Sequence, residues 1–247
     1  MAIHVVGAAM IRLDDVTVCY RKHPAVHHLT GTFTAGGLTA VVGPNGAGKT
    51  TLLKAITRQQ ALTTGTIHVD GDIAYLPQMA ELDRQFPLTV SELVLAGAWK
   101  RRGGLRALDG EETDRADEAL ERVGLSGFGQ RTIATLSGGQ LQRARFARLL
   151  VQDTPIILLD EPFNNVDTRT RDTLLAILAH WRAQQRTVAV VVHDMGLAHE
   201  HFPETLLLAH EVIAWGDTAS TLSEDNLQRA QQMTEYWQND APWCARP

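Results

Sequence analysis

Apolar and polar positions along the chain change period several times, and the changes mark elements. Residues 11–20 (IRLDDVTVCY) alternate in part, which predicts an edge strand. Residues 38–42 (LTAVV) form a short continuous apolar run that ends at glycines, and residues 50–58 follow with helical spacing. Strand, glycine-rich loop and helix in that order make half of a βαβ unit. Residues 66–70 and 73–76 read as short strands split by the turn Asp70-Gly71-Asp72. From residue 87 to 151 the pattern is helical, at 88–99, at 114–123 and from Gln140 onward, with nothing strand-like. Residues 155–159 (PIILL) and 187–192 (TVAVVV) are fully apolar strands flanking a helix at 168–186. Residues 206–208 and 212–215 pair as a last hairpin, and a polar helix runs from Ser223 to Asp240. Near-continuous apolar strands alternating with helices define an α/β core with a largely parallel sheet, interrupted by an inserted helical lobe.

Composition narrows the picture. With 247 residues, 44% hydrophobic and 21% charged, the chain buries one large core or one core with an inserted lobe. A net charge of −5 disfavours a general nucleic-acid binder. Two cysteines, Cys19 and Cys244, exclude a disulfide scaffold and a four-cysteine zinc module, and fit a reduced, cytoplasmic chain. The first ten residues lack the character of a signal peptide, and the apolar runs fall well short of the roughly 18 residues a membrane span needs. The expectation is a protein soluble by itself, with any membrane role borrowed from a partner.

The chemistry begins after residues 38–42. Gly43-Pro44-Asn45-Gly46-Ala47-Gly48-Lys49-Thr50 matches G-x-x-x-x-G-K-[ST] in full, between a predicted strand and a predicted helix. Glycines let such a loop curl until its backbone N–H groups face one centre, an anion nest at a helix N-terminus. Lys49 adds a positive charge for the β- and γ-phosphates, the Thr50 hydroxyl suits Mg²⁺, and Thr51 supports a phosphate contact. The strand at 155–159 ends in Asp160-Glu161, where ligands of parallel sheets collect. One carboxylate, Asp160, suffices for the metal; the second, Glu161, is free to polarise an attacking water. A second glycine cluster, Leu136-Ser137-Gly138-Gly139-Gln140, opens an amphipathic helix. A helix cap accounts for Ser137 but not for two successive glycines, which weaken a helix. Two phosphate-binding helix starts and one γ-phosphate fit a pair of copies related by a two-fold axis, each offering its Ser137 segment to the other's nucleotide.

With the phosphate loop, the acidic pair and LSGGQ, the chain resembles the ATP-binding subunit of an ABC transporter over nearly its whole length. The resemblance implies a P-loop NTPase core, α/β and mostly parallel, with an antiparallel β subdomain and an inserted helical subdomain. It divides the single domain into a catalytic core (1–85 and 152–222), a helical signature subdomain (86–151), and a C-terminal helix and tail (223–247). It implies a head-to-tail ATP sandwich in which Ser137, Gly138, Gly139 and Gln140 meet ATP bound on the opposite protomer. Tyr20 stands where the family has an aromatic stacked on adenine, although an ordinary strand tyrosine fits the same position. Gln78, in AYLPQ, matches the glutamine loop that reaches metal and water. His193 matches the switch histidine that contacts the γ-phosphate. Asp167, which the resemblance counts among the nucleotide-binding residues, is kept in the segment Asn164-Asn165-Val166-Asp167, where the family usually has Ser-Ala-Leu-Asp. ATP and Mg²⁺ are the implied cofactors.

The implied partners are a second copy in the ATP-bound state and integral-membrane permease subunits, with a solute-binding protein acting indirectly and no nucleic acid. The permease docks on the segment bounded by Met79 and Leu88 (MAELDRQFPL), with Leu82 and Phe86 as anchors, which puts the chain on the cytoplasmic face of the inner membrane. The stretch RQFPLTVSELVLAG, with FNNVD and LLLAHEVIAWGD, resembles subunits of bacterial zinc and manganese importers. Importers of iron–siderophores, haem or cobalamin have similar ATPases. The histidine spacing does not decide the cargo, since His27-His28 are adjacent and His199 and His201 lie two apart. A soluble ATPase acting on DNA is disfavoured because the span from Gln78 to Leu136 is too short for a long coiled coil.

Overall fold

The structure is a computed structural model and describes residues 9–20, 23–78, 86–99 and 110–239. It divides into two compact units: residues 1–73, 155–161 and 181–247 form the first, and residues 74–154 and 162–180 the second.

The first unit holds two sheets. The smaller is antiparallel, ordered β2-β1-β4, from β1 (Ala9–Tyr20), β2 (His23–Thr34) and β4 (Thr64–Val69). β1 is therefore its central strand and not the edge strand its alternation predicts. Its inward residues Ile11, Leu13, Val16 and Val18 are fully buried, and both of its edges are paired. The missed partner is β2, whose apolar alternation is broken by His27, His28 and Gly31 and whose register with β1 shifts repeatedly. Cys19 is disulfide-bonded, against the expectation of a reduced chain, and its partner lies outside the described residues.

The larger sheet carries β6 (Ile156–Asp160), β7 (Thr187–Val191), β3 (Leu38–Val42), β8 (Glu204–Ala209) and β9 (Glu211–Asp217) in that order. The first four are parallel, and β9 returns antiparallel from β8. β3, β6 and β7 are buried at every position, which is why they read as unbroken apolar runs. α1 (Lys49–Ile56) follows β3, and α6 and α7 frame β8 and β9 at Met195–His201 and Thr218–Thr221. The unit ends in α8 (Glu224–Asn239). β5 (Ile73–Leu76) carries the chain out of the first unit.

The second unit is helical: α2 (Val90–Leu95), continued by a 3-10 turn at Ala96–Ala98, then α3 (Gly110–Arg122), α4 (Gly138–Gln152) and most of α5 (Thr168–Ala183). Thr89 starts α2 with a reciprocal cap: its hydroxyl accepts from the Glu92 N–H, and the Glu92 carboxylate accepts from the Thr89 N–H. Among the described residues no helix is long and apolar enough to cross a membrane.

Candidate functional site

The phosphate loop lies between β3 and α1, and its glycines are there for space as well as for torsion. Gly48, the residue before α1, has φ 94°, and a Cβ on it would run into the Ala25 carbonyl of β2. Gly43 has φ 151°, and a Cβ there would meet the Leu208 carbonyl of β8. The loop closes on itself through Ala47 N–H to the Pro44 oxygen, 3.2 Å, and is held from outside by His210 N–H to the Ala47 oxygen, 2.9 Å. Among the described residues no side chain caps α1, so its first-turn N–H groups are left open at a helix start, the arrangement that receives an anion.

Lys49 curls over this loop. Its ammonium donates to the Gly43 carbonyl at 2.7 Å and to the Pro44 carbonyl at 2.8 Å, and the residue is buried. Burial pulls its pKa below the ordinary lysine value, while the carboxylates of Glu161 and Asp160 push it back up. A lysine between those carboxylates and an anion nest is a charge placed to meet phosphate oxygens.

Asp160 ends β6 at 1% exposure, and Thr50 Oγ1 donates to its Oδ1 at 3.1 Å. A hydroxyl and a carboxylate so close together are two hard oxygen donors, the kind Mg²⁺ prefers. The next residue, Glu161, has φ 51°, a left-handed backbone that a non-glycine residue adopts at a cost of order 1–3 kcal/mol. Its Oε1 lies 2.5 Å from His193 Nε2, at the turn after β7. Glu161 is nearly enclosed, with 8% of its side chain exposed against 35% for His193. A shielded carboxylate hydrogen-bonded to a half-open imidazole can accept a proton from water and hold it beside a phosphate. Asp194 caps α6 through Leu197 N–H, 3.1 Å, and so fixes the turn that carries His193. Tyr20 ends β1 with 45% exposure, so its ring is accessible from solvent.

The remaining site residues stand in the second unit. Gln78 is exposed just past β5. Ser137 caps α4: its hydroxyl accepts from Gln140 N–H at 3.2 Å, and the Gln140 side chain accepts from Ser137 N–H at 2.9 Å. Gly139 is tightly packed: a Cβ would sit 2.8 Å from Thr170 Oγ1 and 3.2 Å from Asp167 Oδ2, so those side chains would have to shift. Among the described residues nothing lies within 4 Å of where a Gly138 Cβ would go, so none of them demands a glycine there. Asp167 accepts from Thr170 N–H at 2.6 Å. That bond, with Arg143 and Arg169 nearby, holds its carboxyl below the usual carboxylate range. Phe86 is 60% exposed, while residues 79–85 of the expected docking segment, Leu82 included, lie outside the described residues.

Sequence reasoning missed Thr170 and the role of His210. A threonine three residues after Asp167 is a readable capping signal, but the His210 contact is made by backbone and leaves no trace in composition.

The chain is similar in sequence and fold to known proteins. The sequence profile of the ABC transporter family matches residues 26–164. The zinc transport system ATP-binding protein TroB of Treponema pallidum is 39% identical over 231 residues, 90% of this chain and 87% of that protein. The manganese transport system ATP-binding protein MntB of Bacillus subtilis is 37% identical over 227 residues, 89% of this chain and 91% of that protein. Among solved structures, an ABC transporter in an inward-facing conformation superposes with TM-score 0.82 at 26% identity, covering 91% of this chain and 90% of that one. The dimeric structure of MJ0796, a bacterial ABC transporter cassette, gives TM-score 0.74 at 28% identity over 85% of this chain and 99% of that one. The fold and the phosphate loop thus define an ATP-binding cassette, and the chain belongs to the ABC transporter family. Within it, the chain is the ATP-binding subunit, which couples ATP hydrolysis to transport.

Proposed function

We propose that this chain drives import of a divalent metal ion, zinc in the first place and manganese in the second, through separate membrane subunits. The similarity to TroB and MntB over nine-tenths of the chain supports the cargo class, with TroB the more similar of the two. The grouping of Lys49, the Thr50–Asp160 pair and the Glu161–His193 pair within one unit carries the proposed mechanism.

In that mechanism the loop amides and Lys49 hold the β- and γ-phosphates, with Thr51 supporting them and Tyr20 stacking on adenine. Thr50 and Asp160, with Gln78, would hold Mg²⁺, which neutralises phosphate charge when bound. Glu161 takes the proton of the attacking water, and His193 orients that carboxylate and donates to the γ-phosphate. Gln78 completes the shell around the water. Ser137, Gly138, Gly139 and Gln140 meet the ATP of a second copy, for which the open space at Gly138 leaves room. Asp167 keeps that start of α4 in place through its neighbours. ATP joins two copies and favours the closed pair; its hydrolysis releases them. The permease contacts the segment between Met79 and Leu88.

Replacing Glu161 by Gln keeps shape and loses the base. Turnover should fall at least about 100-fold, and an ATP-bound dimer should accumulate on size exclusion. Wild-type turnover in E161Q would remove Glu161 from its role. For the cargo, a deletion strain should grow poorly in zinc-depleted medium and recover with added zinc. Recovery only with manganese would make manganese the cargo, and recovery only with haem, cobalamin or an iron chelate would overturn the metal-ion reading.

A further inference from the structure

Arg145 is a buried cation that the nucleotide chemistry leaves unused. It lies two turns into α4 at 9% exposure, on a helix whose other buried residues, such as Leu141, Ala144 and Leu149, are apolar. Its Nη2 donates to the Pro77 carbonyl at 2.7 Å, and its Nη1 donates to Gln142 Oε1 at 3.0 Å. Gln142 in turn donates from Nε2 to the Pro162 carbonyl at 2.9 Å. Among the described residues no carboxylate answers the charge, and the neighbouring ion is Arg148, of the same sign. A guanidinium buried against neutral oxygens is costly, and an apolar side chain would fill this face of α4 at less expense. What the guanidinium adds is a planar fork that fixes two acceptors at once.

The two carbonyls matter for their places in the chain. The Pro77 oxygen belongs to the peptide unit whose nitrogen is that of Gln78, so holding it fixes the plane from which Gln78 starts. The Pro162 carbonyl lies one residue past Glu161, and the proline ring locks one of the two torsions between that carbonyl and the Glu161 peptide. We infer that Arg145, acting through Gln142, is a positioning residue that ties the Gln78 turn and the segment leaving Glu161 to the helix that begins Ser137-Gly138-Gly139. This inference rests on the proposed roles of Gln78 and Glu161. It assigns one hydrogen-bonded chain, Pro77–Arg145–Gln142–Pro162, to keeping the hydrolytic groups in step with the signature helix. The phosphate loop, which in the proposed mechanism takes the β- and γ-phosphates, is not part of that chain, so the main hold on the nucleotide is kept.

The test is steady-state ATP hydrolysis by the full chain with Arg145→Met, Arg145→Lys, Gln142→Leu and the R145M/Q142L double variant. Met keeps the length of the stem and removes the fork. R145M should lower kcat by about 10-fold or more, the scale of a small misplacement at a reacting centre, with KM for ATP changed by no more than about twofold. R145K should recover part of kcat, because an ammonium reaches the Pro77 oxygen but does not fork. The double variant should be no slower than R145M, since both cut one chain. Unchanged kcat in R145M, a loss confined to KM, or single losses that multiply in the double variant would each overturn the inference. If Met at 145 does not fold, Q142L, which keeps the Arg145–Pro77 bond, carries the test: it should lose kcat at constant KM, and wild-type kcat overturns the inference. E161Q separates the two readings. An active E161Q removes the catalytic role of Glu161 itself, whereas an inactive E161Q beside an unaffected R145M removes only the positioning role of Arg145.

Discussion

Gly46 and Gly48 are the same residue type, two positions apart in one loop, yet the structure asks different things of them. Gly46 has φ 83° and open space where a Cβ would go; Gly48 has φ 94° and a backbone carbonyl there. Gly46→Ala should therefore cost only the left-handed backbone, about 1–2 kcal/mol, and leave a folded chain. Gly48→Ala adds a collision with β2, and should lower the urea midpoint distinctly more and abolish ATP binding. Equal losses in the two variants would mean that torsion alone governs the loop. The G-x-x-x-x-G-K-T pattern announces the loop, but not which glycine is there for torsion and which for space, because Ala25 is distant in sequence. The kink at Glu161 is equally silent: nothing in ILLDEP marks the glutamate as left-handed, since the strain is imposed by what surrounds it.

At the scale of elements, α4 shows how a cap and a binding surface share residues. The reciprocal bonds between Ser137 and Gln140 satisfy two N–H groups that the helix start would leave open. Ser137→Ala should lose about 1 kcal/mol of stability together with ATPase activity, so it does not separate the roles. Ser137→Asp does: a carboxylate caps as well as a hydroxyl and suits the helix dipole, but it repels a phosphate. Thermal stability should stay at the wild-type level while ATP hydrolysis collapses, and normal hydrolysis by S137D would leave Ser137 a cap and nothing more. Elements legible from sequence were those with an unmixed period, such as β3, β6 and β7, buried on both faces, and α8 with its polar run. α6 escaped notice because seven residues carry barely two turns of pattern. β2 escaped because its bulges break the alternation that defines a strand.

Across the first unit, its C-terminal part reaches back to the phosphate loop. Trp237 of α8 is buried with its ring 5.0 Å from His27 and 5.5 Å from His210, and His210 N–H holds the Ala47 carbonyl. Among the described residues the indole Nε1 has no hydrogen-bond partner. Trp237→Phe therefore removes an unsatisfied donor and should be close to neutral, whereas Trp237→Ala should cost about 3–5 kcal/mol and weaken ATP binding, read by denaturation and by nucleotide titration. His210 makes this contact sensitive to acid. Burial lowers its pKa, opposed by its hydrogen bonds to the Pro24 and Ala25 carbonyls and by Glu211, which also pairs with His27 at 3.0 Å. With the folded pKa below the ordinary value near 6.5, the unfolded chain takes up the proton first as pH falls. Stability contributed by neutral His210 is thus complete above pH 6.5 and declines as pH falls from there toward the lower folded pKa. His210→Asn keeps a residue that tolerates φ 62° and does not titrate. Its urea midpoint should fall less between pH 7 and pH 5.5 than that of the wild type, with the His27–Glu211 pair intact in both, and parallel declines would show that acid acts elsewhere in the unit.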